Sequence, residues 1–320
     1  MQRRKLLITH DIDQRHQERV KELVPDWDVI IGKNREIWSH HVKEAEIIVG
    51  WKKEMNEIVV QPDAKLRWLQ TWSAGINGLP LKCLENKEIQ LTSANGVHAY
   101  PISETIFGLM LALTRKIHTY VRNQQSKTWH HSGIGMEIHN KTVGIIGVGA
   151  IGKETAKLAK AFGMTVLGIR HSGAEEDDVD DMFTPDKLNH ILPRCDYVVV
   201  TLPLTEETHQ LFGAEQFHLM KETAFFINIG RGHLVKEAEL IEALKNGQIA
   251  GAGLDVFEHE PLDETSPFWE MENVIVTPHT SGSTEHYNKR VMENIFIPNL
   301  EDYVKGKIPS VNLADYKKGY

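Results

Sequence analysis

Apolar residues recur along the chain in short runs set apart by polar or glycine-bearing stretches, the pattern of buried parallel strands alternating with helices. In the first third, Leu6-Leu7-Ile8-Thr9, Trp27 to Ile31, Ile47-Ile48-Val49-Gly50, Leu69 to Trp72 and Leu91-Thr92-Ser93 read as strands, with helices over 16–23 and 37–44. Pro101 opens a longer helix whose Ile102, Thr105, Ile106, Leu109, Met110 and Leu113 fall on one face. The alternation then resumes. Strands are predicted at 142–146, 164–169, 197–201, 224–228, 251–255 and 274–277, and helices at 153–162, 214–220 and 236–245. A final helix over 284–303 carries Val291, Ile295 and Leu300 on one face. The fold class predicted is α/β, two doubly wound parallel-sheet domains. Residues 99–283 form a dinucleotide-binding Rossmann domain. It is inserted in a smaller, flavodoxin-like substrate domain made of 1–98 and 284–320, because the last helix packs back on the first domain.

The stretch Gly147-Val148-Gly149-Ala150-Ile151-Gly152 fits G-x-G-x-x-G between a strand and a helix. There Gly147 permits the tight turn, Gly149 lets backbone approach a pyrophosphate, and Gly152 lets helix and sheet pack closely. The helix N-terminus behind Ala150 and Ile151 then faces the phosphates. At the end of the next strand, where an NAD site carries an acid for the ribose hydroxyls, the chain has Arg170-His171-Ser172. Arg170 suits the extra 2′-phosphate of NADP and Ser172 adds a hydroxyl; the alternative is that Arg170 only stacks on the adenine. The acidic run Glu175 to Asp181 falls too late to replace the missing carboxylate and reads as a solvated loop. NADP is therefore the cofactor expected, with NAD possible.

Composition narrows the rest. The chain of 320 residues has net charge −8 and no Lys/Arg-rich tract, which argues against nucleic acid or an anionic membrane surface as partner. No apolar run reaches the length of a membrane span, and the start reads as a strand rather than a signal peptide. Cytoplasmic location is expected. Two cysteines build no disulfide framework, and the 17 histidines show no metal-ligand spacing, so no metal is expected.

Four ordered motifs, the glycine-rich turn, Asn228-Ile229-Gly230-Arg231-Gly232, Leu254-Asp255-Val256-Phe257-Glu258-His259-Glu260-Pro261 and Pro278-His279, make the chain resemble the D-isomer-specific 2-hydroxyacid dehydrogenase family over nearly its whole length. Within it the chain looks most like the NADP-using glyoxylate/hydroxypyruvate reductases, on Arg170, Trp51 and the 266–269 segment. The resemblance implies a catalytic set of Arg231, Glu260 and His279. In reduction of a small 2-oxo acid to the D-2-hydroxy acid, His279 supplies the proton, Glu260 orients its ring, and Arg231 binds the carboxylate or polarises the carbonyl. It also implies that backbone N–H groups of Ser73-Ala74-Gly75-Ile76 hold the substrate carboxylate. Leu202, Pro203, Ile229 and Gly230 line the dinucleotide cleft, and Asp255 faces the nicotinamide carboxamide. Thr208 either reaches the adenosine or caps a helix. Trp51 either closes a small substrate pocket or is a core residue. The resemblance further implies a homodimer, built on the helix from Pro101 and the loop bearing Trp129. A short D-3-phosphoglycerate dehydrogenase and a nucleotide-sensing corepressor-like binding protein are the alternative functions.

Overall fold

Both sheets are wholly parallel, as the apolar runs require. The structure, a computed structural model, describes residues 3–316 except 77, 132 and 134. Residues 1, 2 and 317–320, which the sequence reading assigns to the substrate domain, lie outside the described residues. Two compact units emerge, residues 1–97 with 284–320, and residues 98–283.

The first unit carries β1 (Lys5–Ile8), β2 (Asp28–Ile31), β3 (Ile47–Val49), β4 (Trp68–Gln70) and β5 (Gln90–Thr92) in the order β2-β1-β3-β4-β5. That is the flavodoxin-like order, with its switch point beside β1. Helix α1 (Gln14–Leu23) buries Val20 in the cluster that holds Leu6, Ile8 and Trp68, and the returning C-terminal segment adds Met292, Phe296 and Leu300 to it. The face expected to carry Val291, Ile295 and Leu300 is split: Leu300 packs with Met292 and Phe296, whereas Val291 and Ile295 pack with Ala94 and Val97. The helix expected over 37–44 is interrupted: Arg35–Trp38 and Val42–Glu44 are separate turns. A helical pair at Lys53–Val59 and a helix at Leu81–Asn86 were not anticipated.

The second unit has β6 (Thr142–Ile146), β7 (Thr165–Ile169), β8 (Asp181–Phe183), β9 (Tyr197–Val200), β10 (Phe225–Asn228), β11 (Gly251–Leu254) and β12 (Val274–Val276). Their order is β12-β11-β10-β9-β6-β7-β8, so the direction of winding reverses between β6 and β9. A ligand of such a sheet binds outside the carboxyl ends of those two strands. Helix α2 (Ala99–Thr114) packs Ile106, Met110 and Leu113 into one core cluster with β6. Helix α3 (Ala150–Ala161) lies against β6 and β7. The acidic run is not a plain solvated loop: Asp181 opens β8, and Asp180 accepts a hydrogen bond from Val166 N–H at 2.8 Å and pairs with Lys160. Among the described residues no helix is long and apolar enough to cross a membrane, and no group of three His, Cys, Asp or Glu converges on a metal position.

Candidate active site

Gly147 leaves β6 with φ 113°, a backbone conformation only glycine adopts without strain. A Cβ on Gly152 would stand 2.5 Å from Gly147 O, so that glycine is required by the close turn itself. At Gly149 a Cβ would meet nothing within 4 Å, which leaves the backbone there open to an approaching group. The first intrahelical bond of α3 runs from Lys153 N–H to Gly149 O, so the N–H groups of Ala150, Ile151 and Gly152 have no acceptor within the helix. Ile169 O, at the end of β7, accepts from both Gly147 N–H and Val148 N–H at 3.0 and 2.9 Å. The glycine turn and the strand end bearing Arg170 are thereby tied together. A Cβ on Gly230 would come 2.8 Å from Leu202 O, and one on Gly147 3.1 Å from Leu202 N, so the loops after β6, β9 and β10 converge. Open backbone, bare helix N–H groups and an adjacent cation fit a dinucleotide.

Ile229 is buried in the core beneath this turn, while Pro203, His171 and Ser172 are exposed. Thr208 caps no helix: its hydroxyl donates to Pro203 O at 2.8 Å and accepts from Thr205 N–H, closing the 203–208 loop on itself. Arg170 is half-buried, and its Nη1 reaches Glu176 Oε2 at 3.3 Å, with Lys153 Nζ on the same oxygen at 2.6 Å. Glu176 belongs to the run expected to be solvated. The Lys153 hydrogen bond, reinforced by both cations, holds its carboxyl below the ordinary range.

The acid–base candidates meet directly. His279 Nδ1 lies 2.7 Å from Glu260 Oε2, and Glu260 Oε1 accepts Phe257 N–H at 3.1 Å. With Nδ1–H given to the carboxylate, Nε2 remains as the working nitrogen. His279 has φ 51°, and its N–H donates to Asp255 O and Thr277 O. Asp255 holds the segment that follows β12. It is fully buried, and its Oδ1 accepts from Thr277 Oγ1–H at 2.6 Å and Thr280 N–H at 3.0 Å, its Oδ2 from Ser281 N–H at 3.1 Å. A carboxylate enclosed this way positions the 277–281 loop, and with it His279. Sequence reasoning passed over Thr277, Thr280 and Ser281, whose only signal is their place just after β12.

Arg231 is exposed, its Nη1 donating to Gly230 O at 2.6 Å. Asn228 shapes the turn beneath it: Oδ1 accepts Gly230 N–H at 3.0 Å and Nδ2 donates to Arg231 O at 3.1 Å. A Cβ on Gly232 would fall 1.9 Å from the Phe257 carbonyl carbon, so the Arg231 turn abuts the backbone leading to Glu260. Glu258 Oε1 accepts Glu237 N–H, and Glu237 Oε2 accepts Glu258 N–H, which clamps the same segment from the other side. Burial raises the Glu237 carboxyl above its usual range.

In the first unit, the 73–76 loop follows β4. Ser73 Oγ–H is committed to Gly75 O at 2.8 Å, and buried Ile76 anchors the loop in the core. Ala74 is half-buried and Gly75 exposed. Trp51 packs against that core, its indole N–H buried with no partner among the described residues.

Comparison with known proteins shows the family. The model of the D-isomer specific 2-hydroxyacid dehydrogenase NAD binding domain matches residues 107–281. Glyoxylate/hydroxypyruvate reductase B of Salmonella paratyphi A is 37% identical over 270 residues, 82% of this chain and 83% of that protein. Among solved structures, a D-isomer specific 2-hydroxyacid dehydrogenase family protein from Aeromonas salmonicida superposes with TM-score 0.83 at 32% identity, over 98% of this chain and 100% of that one. The NADPH-dependent glyoxylate/hydroxypyruvate reductase of Sinorhizobium meliloti, solved with NADP and sulfate, gives 0.79 at 26% identity, over 99% and 100%. With a dinucleotide turn at the sheet's switch point and this breadth of likeness, the chain belongs to the D-isomer specific 2-hydroxyacid dehydrogenase family and is an NAD(P)-dependent oxidoreductase.

Proposed function

We propose that the chain reduces a small 2-oxo acid of the glyoxylate or hydroxypyruvate type to the D-2-hydroxy acid, with NADPH preferred over NADH. The observation that carries the chemistry is the 2.7 Å contact between His279 Nδ1 and Glu260 Oε2. The likeness to glyoxylate/hydroxypyruvate reductases supports the substrate class. The bound dinucleotide supplies a hydride for the substrate C2. The turn 147–152 with the N–H groups of Ala150, Ile151 and Gly152 holds its pyrophosphate, and Arg170 its 2′-phosphate. Leu202, Pro203 and Gly230 border the cleft. His279 in its imidazolium form passes the Nε2 proton to the former carbonyl oxygen, and Glu260 keeps the ring aimed and balances its charge. Arg231 binds the substrate carboxylate by its forked donors, and the backbone of Ser73, Ala74, Gly75 and Ile76 takes the remaining oxygen.

The enzyme is further proposed to be a cytoplasmic homodimer. Both cysteines are free thiols, in keeping with a reducing compartment. Tyr100, Ile117, Val121 and Trp129 are large apolar side chains left exposed on and after α2, and they suit an isologous interface.

Oxidation of NADPH and NADH, followed against glyoxylate, hydroxypyruvate and larger 2-oxo acids, tests the reading. Turnover of the small acids with a higher kcat/KM for NADPH is expected, and Arg170→Asp should shift the preference toward NADH. No turnover of any 2-oxo acid overturns the enzyme reading, equal kcat/KM for the two cofactors overturns the NADP preference, and a monomer at micromolar concentration in sedimentation overturns the dimer.

A further inference from the structure

Lys153 and Arg170 come from different elements, the first turn of α3 and the residue after β7, yet both end on one oxygen of Glu176. The distances are 2.6 Å from Lys153 Nζ and 3.3 Å from Arg170 Nη1. Neither strand pairing nor the core requires this meeting, since Glu176 stands in the loop before β8 and makes no contact with β7 backbone comparable to that of Asp180. Two cations gathered on a single anionic oxygen form the arrangement that a phosphate monoester would occupy. It also sits beside the glycine turn, through the shared acceptor Ile169 O, where the adenosine ribose of a dinucleotide lies in this fold. Ordinary surface ion pairs join one exposed cation to one exposed anion and contribute little. Here the acceptor side chain is only 23% exposed and the Arg170 side chain 29%, so both are partly withdrawn from water.

We propose that Glu176 is an internal stand-in for the 2′-phosphate of NADP: it keeps Lys153 and Arg170 gathered in its absence and is displaced by it, so that Lys153 is a second 2′-phosphate ligand and Glu176 sets how strongly NADP is preferred. This rests on the NADP reading of Arg170. A 2′-phosphate must take both cations from Glu176, whereas a ribose carrying a bare 2′-hydroxyl leaves that pairing intact. The carboxylate therefore lowers affinity for the phosphorylated nucleotide selectively. Removing its charge strengthens NADP binding, and removing Lys153 weakens it.

The test uses 2′,5′-ADP and 5′-AMP as probes, titrated calorimetrically into the intact protein at one fixed ionic strength, so no 2-oxo acid turnover is needed. The unaltered protein should bind 2′,5′-ADP more tightly. Glu176→Gln should tighten 2′,5′-ADP about three- to tenfold, Lys153→Met should weaken it about tenfold, and both should leave 5′-AMP within about twofold. Far-UV circular dichroism checks that each variant is folded, and Glu176→Ala serves if Glu176→Gln is not. If 2′,5′-ADP is preferred but Glu176→Gln leaves its affinity unchanged or lower, or Lys153→Met has no effect, the stand-in is overturned while the NADP reading survives. If the unaltered protein binds both probes equally, the NADP reading falls and this inference falls with it.

Discussion

Asp255→Asn separates the role the structure gives this carboxylate from the one expected by resemblance. Its two oxygens serve three donors, Thr277 Oγ1–H and Thr280 N–H on Oδ1 and Ser281 N–H on Oδ2. An amide offers one acceptor oxygen. Placed at Oδ1, it turns its NH2 on the Ser281 N–H; placed at Oδ2, it turns it on two donors. Either way at least one buried donor is left facing a donor, at a cost of ~1–3 kcal/mol, and the remaining bonds lose their charge assistance, ~1 kcal/mol each. The expected loss, with the oxygen at Oδ1, is therefore about 3–5 kcal/mol, a large share of a typical domain's ~5–15 kcal/mol. Because His279 N–H hangs on Asp255 O in the same loop, its ring loses its fixed place against Glu260. A misplacement of ~1 Å at a reacting group costs up to ~10²-fold, so kcat should fall ten- to a hundredfold. NADPH binding, measured by fluorescence titration, should stay within about threefold. Urea unfolding and initial rates with glyoxylate complete the assay, and Thr277→Val, which removes one donor together with its need, should cost only ~1 kcal/mol. The reasoning fails if Asp255→Asn keeps native stability and kcat, or if it loses NADPH affinity more than tenfold with kcat intact, since the carboxylate would then be touching the nicotinamide.

Four further variants test other parts of the structure. His279→Ala should lower kcat ~10²–10⁴-fold with NADPH affinity unchanged, and Glu260→Ala, which removes the acceptor that aims the His279 ring, should lower kcat less than His279→Ala does; near-normal turnover by the histidine variant refutes the assignment. Gly232→Ala would put a Cβ 1.9 Å from the Phe257 carbonyl carbon, so the backbone leading to Glu260 must move, and a variant of unchanged thermal stability and activity would contradict this packing. In the first unit, His10 is stacked on Trp72 at 4.5 Å, and burial, aided by Lys52, lowers its pKa from 6.5 to about 4. The unfolded chain then takes up the proton first, so this contribution to stability is full above pH 6.5 and is lost as pH falls toward 4; His10→Phe should reduce the loss between pH 7.5 and 5 by about 1 kcal/mol, discounted for partial exposure, and an unchanged pH profile in urea unfolding would refute it.

Strands flanked by glycine or polar turns were legible because a buried parallel strand leaves an unbroken apolar run, and the glycine-rich turn because φ and close packing demand glycine at fixed spacing. What escaped was short or built by long-range return. Asp181–Phe183 hid in an acidic run because an edge strand of three residues pairs on one side only, and two of its three residues stay half-buried. The turns at Arg35–Trp38 and Val42–Glu44 share one apolar pattern, since burial of Trp38 and Val42 needs only a fitting face and not a continuous helix.

The candidate site divides along the same line. The three residues proposed for the chemistry, His279, Glu260 and Arg231, stand in motifs that carry the family resemblance. The residues that give those three their geometry could not be assigned that task from the chain, because they act through backbone. Asn228 accepts the Gly230 N–H and donates to the Arg231 carbonyl, Gly232 leaves room for the Phe257 carbonyl, and Asp255 gathers the loop after β12. Of the Asn228-to-Gly232 motif only Arg231 is exposed; Asn228, Ile229, Gly230 and Gly232 are buried. The motif therefore encodes a turn that presents one cation, and its length is set by the hydrogen bonds of Asn228. A substitution at Asn228 should accordingly disturb Arg231 as much as one at Arg231 itself, although only the arginine has chemistry to offer a substrate.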